Sequence, residues 1–212
     1  MSSSQPDFIT WFLNSAHYDH PVDRVELMQT HISYVLLAGD FVYKFKKPVN
    51  FGFLDFTTLD NRHHFCHQEL LLNRRLCPDI YLDVFSVCKQ GAGFTFGGSG
   101  EAVEYGVKMK KMPQERMMGR VIENGALTKD HIRDIVATLV PFYEQAAGGG
   151  GIAGFGTAQA VSVNVLENFD QTKGFIGKGA LQQSQFDAIS HYARTFLQNE
   201  SLFLRRCESR VK

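Results

Sequence analysis

The stretch Phe41-Val42-Tyr43-Lys44-Phe45-Lys46-Lys47-Pro48-Val49-Asn50-Phe51-Gly52-Phe53-Leu54-Asp55-Phe56 decides the fold. Its first six residues suit a β-strand, because Phe, Val and Tyr fit a pleated surface. Period-2 alternation puts Val42, Lys44 and Lys46 on one face and Phe41, Tyr43 and Phe45 on the other. Pro48 ends the strand, since it brings no N–H to a ladder and restricts Lys47 before it. The remainder, with Phe51, Phe53, Leu54 and Phe56, is an aromatic-rich connector.

Working back toward the N-terminus, Gly39-Asp40 is a tight-turn signal behind Ile32-Ser33-Tyr34-Val35-Leu36-Leu37. This predicts a meander of strands over 25–29, 32–38 and 41–46. A short amphipathic helix over 7–14 precedes it, with Asp7 as N-cap. Working forward, 59–76 reads as a helix stopped by Pro78. Strands over 80–88 and 102–109 follow, flanking a glycine-rich hairpin loop at 91–100, for a five-stranded sheet. After Met112-Pro113 the pattern turns helical: 129–147 behind Thr128, then 161–169, then a last helix from about 181 to near the C-terminus. The fold class is therefore α+β, a small antiparallel sheet lobe with one helix over 1–112 and an α-helical lobe over 113–212.

The 212 residues, 44% of them hydrophobic, suffice for a real core, and the mean hydropathy is −0.17. Lys plus Arg (22) equals Asp plus Glu (22), so no net charge draws the chain to nucleic acid or to an anionic membrane surface. Met1–Asp7 lacks a basic leader region, and the apolar run behind it is too short for a signal or a span. Cys66, Cys77, Cys88 and Cys207 show no metal or disulfide spacing, which suits reduced thiols and a cytoplasmic location.

Phosphate chemistry supplies a reason for the alternation in the third strand. A polyphosphate needs a fixed cation beside it, and a flexible lysine is fixed only when a carboxylate holds its ammonium. Lys44 sits in the middle of that strand, Glu69 lies in the next helix, and Val42 shares the face of Lys44. The plain alternative is a solvated edge lysine beside Lys46 and Lys47.

The order of three strands, a helix and two strands is that of the small lobe of a protein-kinase-like fold. The quoted run, together with Thr30-His31-Ile32-Ser33, Glu69-Leu70-Leu71-Leu72-Asn73-Arg74-Arg75-Leu76, Glu104-Tyr105-Gly106-Val107-Lys108-Met109, Pro113-Gln114-Glu115 and Glu167-Asn168-Phe169, resembles a bacterial group of aminoglycoside phosphotransferase-related proteins. Some members of that group carry a fused P-loop ATPase domain. The resemblance implies a bilobal fold that binds ATP and Mg2+ and passes the γ-phosphate to a hydroxyl. It implies that Lys44 contacts phosphate, that Glu69 is its partner, and that the backbone of Met109, Lys110, Lys111 and Met112 is the hinge that meets adenine.

Two features depart from that pattern. No G-x-G-x-x-G loop joins the first two strands, so any phosphate cover comes from backbone N–H groups and the hydroxyls of Thr30 and Ser33. The His-Gly-Asp-x-x-x-x-Asn catalytic loop and the later metal-binding Asp are missing as well. The expectation is an ATP-binding portion, inactive alone, from a truncated or naturally short relative. The alternative is a non-catalytic kinase-like module that docks a protein partner, or itself, through apolar surface around Phe186, Ile189 and Phe196. The pair His63 and His67 has helical spacing but no third ligand, so no metal site is expected there. Neither glycine run, Gly97-Gly98-Ser99-Gly100 or Gly148-Gly149-Gly150-Gly151, completes a Walker loop. The cluster Lys108, Lys110, Lys111, Arg116 and Arg120 fits either an anionic ligand or a solvated rim.

Overall fold

The computed structural model describes residues 5–198, 201–202 and 204–206. A short helix α1 (Asp7–Trp11) leads to strands β1 (Val25–Gln29), β2 (Ser33–Ala38) and β3 (Phe41–Lys46), helix α2 (Leu59–Asn73), then β4 (Tyr81–Gln90), β5 (Gly93–Phe96) and β6 (Ala102–Lys110). Helices α3 (Met118–Glu123), α4 (Lys129–Glu144), α5 (Gly150–Ala153), α6 (Ala158–Thr172) and α7 (Gln183–Leu197) follow. Residues 201–202 and 204–206 are also helical. The protein is thus α+β, with the six strands and helices α1 and α2 within residues 7–110 and helices beyond them. Cys207 and the run to Lys212 lie outside the described residues.

The chain forms two compact units, Met1–Thr138 and Leu139–Lys212. In the first, every strand pairs antiparallel in one sheet of order β1-β2-β3-β6-β4-β5. Gly39, with φ 56, turns the chain between paired Ala38 and Phe41. A left-handed first loop residue matches strand twist and favours glycine.

The sheet has six strands where five were expected, because Gly93–Phe96 forms β5 rather than a loop. The turn is only Gly91-Ala92, with Gln90 already paired to Gly93. The glycines hid an alternation in which Phe94 and Phe96 point to the core. Phe96 stacks on Phe12 (3.9 Å, 9°) and on Tyr43 (4.6 Å, 12°). Trp11 lies so close over Gly93 that a Cβ there would fall 2.2 Å from the indole.

One face of the sheet is covered by α1 and the segment after it. Phe8, Ile9 and Phe12 pack with Leu36, Tyr43, Phe45 and Val87, and Ile9, Phe12, Leu36, Phe45 and Val87 are fully buried. On the other face α2 places Cys66 and Leu70 against Val107. Gly106 lets β6 fit between its neighbours: a Cβ there would meet Phe85 at 2.5 Å and the Lys44 carbonyl at 3.0 Å.

Helices α4 and α7 show the apolar periodicity read from the sequence, yet the stripes are not buried. Ile132, Ile135, Val136 and Val140 of α4, and Ile189 and Tyr192 of α7, are exposed. Periodicity marks a face that requires a partner and does not itself supply one. In the second unit Phe169 of α6 meets Phe186 of α7 edge-on at 5.8 Å. Among the described residues, no helix is long and apolar enough to cross a membrane.

Candidate functional site

The site grows from the α2 face of the sheet. Strand β3 is held between β2 and β6, with Lys44 opposite Val35 on one side and Val107 on the other. Helix α2 starts at Thr58, whose hydroxyl accepts from Asn61 N at 3.1 Å. Such a cap satisfies an otherwise orphaned N–H and sets where the helix begins. Glu69 comes from a later turn, over the middle of β3.

Lys44 Nζ donates to Glu69 Oε1 and Lys46 Nζ to Oε2, each at 2.7 Å. One carboxylate therefore holds two ammonium groups. Their environments differ: the Lys46 side chain is 7% exposed and that of Lys44 29%. Lys46 also sits 4.9 Å over the Phe56 ring. Burial opposes ionisation of Glu69, but the two lysines outweigh it and hold its carboxyl below the usual range. The phenol of Tyr81 is pushed up, first by burial and then by the Glu69 charge, with Lys44 opposing.

A second ion pair fixes α2 from its other end. Arg62 Nε donates to both Glu104 oxygens, at 2.8 and 2.9 Å. Its Nη1 donates to the carbonyls of Phe56 (3.0 Å) and Thr57 (3.1 Å), tying down the connector. Burial pushes the Glu104 carboxyl up despite Arg62, the mark of a costly charge kept in place by its partner.

Beside the Lys44 cluster lies a cavity of about 310 Å³. Met28, Val35, Leu37 and Val42 line it from the first three strands, Tyr81 from β4, and Met109, Lys110, Lys111 and Met112 from the end of β6 and the segment after it. Lys110 N donates to Ile80 O (2.9 Å) and Lys111 N to Asp40 O (2.8 Å), which fixes this exit segment to two neighbouring loops. Among the described residues the Met112 N–H takes no acceptor within the protein.

The structure thus brings Lys44 and Glu69 into one ion pair, and Val42 and Met109 to Met112 into one cavity wall, with Tyr81 touching both environments. Thr30 and Ser33 are not part of that wall. Thr30 Oγ1 accepts from Ile32 N at 3.3 Å within the turn, and Ser33 is buried opposite Lys46. Sequence reasoning missed the double pairing of Glu69, although alternation had already put Lys46 on the Lys44 face. It also missed Arg62 with Glu104, whose 42-residue separation leaves no local signal.

Elsewhere, His63 and His67 face each other with Nε2 atoms 3.0 Å apart. Among the described residues no three or more His, Cys, Asp or Glu side chains converge as a metal site, so no residues are assigned to hold Mg2+. Burial pushes the Cys66 thiol up to about 12, which keeps it protonated near neutral pH. Lys108, from the basic cluster, lies over the rings of Phe41 (4.3 Å) and Tyr43 (5.4 Å). Arg120 pairs with Glu123.

No family model and no solved structure matches the chain. It is similar to uncharacterized proteins of Mycobacterium bovis and of two strains of Mycobacterium tuberculosis, each 30% identical over 130 residues. The match covers 60% of this chain and 24% of each relative, so the chain spans about a quarter of the length of the curated relatives it matches.

Proposed function

We propose that this chain is the nucleotide-binding part of a kinase-like phosphotransferase, with ATP held between the cavity wall and Lys44. The observation that carries this reading is the Lys44–Glu69 pair at 2.7 Å beside a cavity walled by Val42 and Met109 to Met112. A cavity of about 310 Å³, mostly apolar, suits a flat heterocycle. The Met112 N–H, which takes no acceptor among the described residues, belongs to a residue lining the cavity and would serve such a ring as a backbone donor. Lys44, more exposed than Lys46, is the cation able to meet phosphate oxygens. The strand order, with α2 inserted between β3 and β4 and β6 lying next to β3, supports the reading as a kinase-like small lobe, with β5 as one strand more than expected.

In this reading the chain binds and orients without completing transfer. A transfer step calls for a group that takes the acceptor proton and for carboxylates on the metal, and the His-Gly-Asp segment that would supply them is absent from the sequence. The acceptor is left unassigned, since a fold alone does not name a substrate.

Calorimetric titration with ATP tests the reading. Wild type should bind, and Lys44→Ala should weaken binding by roughly tenfold or more, the usual scale for losing a charge-assisted contact to phosphate. Equal binding by the two proteins, or binding by neither, would remove Lys44 from this role. The exposed apolar residues of α7 favour a second reading, a docking module. Self-association of the chain in light scattering, without nucleotide affinity, would select it.

A further inference from the structure

A single lysine paired with a single carboxylate is a neutral unit, and a ligand that recruits the lysine must strip it from its partner. The cluster here is built differently, because each Glu69 oxygen has its own lysine at 2.7 Å. Two ammonium charges against one carboxylate leave one positive charge in excess. The two lysines are not equivalent either. Lys46 is nearly enclosed, at 7% exposure, and lies over the Phe56 ring. The Arg62 hydrogen bond to the Phe56 carbonyl holds that residue in turn. Lys46 is therefore fixed to Glu69, while Lys44 keeps the open side of the cluster.

We propose that Lys46 is the standing counter-ion of Glu69, a positioning residue whose charge frees Lys44 for an anionic ligand. When Lys44 turns toward a phosphate oxygen, Glu69 is not left as an isolated buried carboxylate, which would be costly. This inference rests on the reading of Lys44 as the ligand-facing cation and goes beyond it by adding a residue that never touches the ligand. Its charge logic differs from that of a packing role. Removing Lys46 neutralises the cluster, whereas removing the Lys46 and Glu69 charges together restores the single excess charge on Lys44.

The test is calorimetric titration of the whole chain with inorganic tripolyphosphate, and in parallel with ATP, with circular dichroism to confirm folding. Lys46→Met should weaken tripolyphosphate binding by roughly tenfold, as expected for one net charge at a partly buried site. Lys46→Arg, which keeps the charge, should stay closer to wild type than to Lys46→Met. The double variant Lys46→Met/Glu69→Gln should bind more tightly than Lys46→Met alone, a recovery that a purely structural role would not produce. The inference is overturned if wild type takes up no tripolyphosphate, if Lys46→Met binds like wild type, or if the double variant binds no better than the single one. Should the tripolyphosphate pattern hold while ATP binds no tighter than tripolyphosphate, the adenine cavity fails and the Lys46 role stands. Should ATP binding depend on Lys44 but not on Lys46, the nucleotide reading stands and the Lys46 role fails.

Discussion

Glu69 links the fold to the site, and its ionisation gives a direct test. Its carboxyl is held below the usual value of 4.5. A lowered acid contributes stability that is fully present above the unfolded-state value and is lost as pH falls through the folded-state value. Glu69→Gln should therefore cost roughly 1–3 kcal/mol at pH 7, the scale for stranding buried charged donors. The gap to wild type should narrow as pH falls below the unfolded-state value of 4.5 and close once pH has passed through the lowered folded-state value, where wild type loses the same charge. Urea unfolding of both proteins at several pH values measures this. A gap that did not narrow at any acid pH at which both proteins still fold would mean that the carboxylate charge is not what holds the two lysines.

At the level of elements, α2 is pinned by two charge clusters, Glu69 with Lys44 and Lys46, and Arg62 with Glu104 and the Phe56 and Thr57 carbonyls. Arg62→Met would leave Glu104 buried and uncompensated, and should cost about 3–5 kcal/mol. Arg62→Met/Glu104→Met should cost clearly less, because the isolated charge disappears with its partner. Thermal melts of the two variants separate the outcomes, and a double variant less stable than the single one would show the pair to be net stabilising. The sequence displayed one side of this arrangement better than the other. Strand alternation around Lys44 and the helical run around Glu69 are local patterns, so the three-strand meander, α2 and the face shared by Val42, Lys44 and Lys46 were legible. Strand β5 was not, because glycine density masked the two-residue alternation of Phe94 and Phe96. The Arg62–Glu104 pair was invisible for a different reason: its two ends meet only once the sheet has formed. The stripes of α4 and α7 were read correctly as apolar, but pattern alone does not determine whether a face is covered.

For the whole molecule, equal numbers of acidic and basic residues mean that any attraction for anions comes from local groupings, such as Lys44 with Lys46, and not from a global field. The opposite face depends on the first described residues of the chain. Ile9 and Phe12 are fully buried there, and each such side chain is worth about 1.5–3 kcal/mol. Cleavage after residue 14 would therefore remove stabilisation comparable to much of a domain's net stability of about 5–15 kcal/mol. It would also leave Tyr43, Phe85, Phe94 and Phe96 as a wet, adhesive aromatic ledge. The shortened protein should bind a hydrophobic dye and scatter light at concentrations where the uncut chain stays clear; a clear, dye-negative product would show that the sheet is self-sufficient. A protease with access to the segment between α1 and β1 would thus act as an off-switch for folding itself, far from the lysines and without touching them.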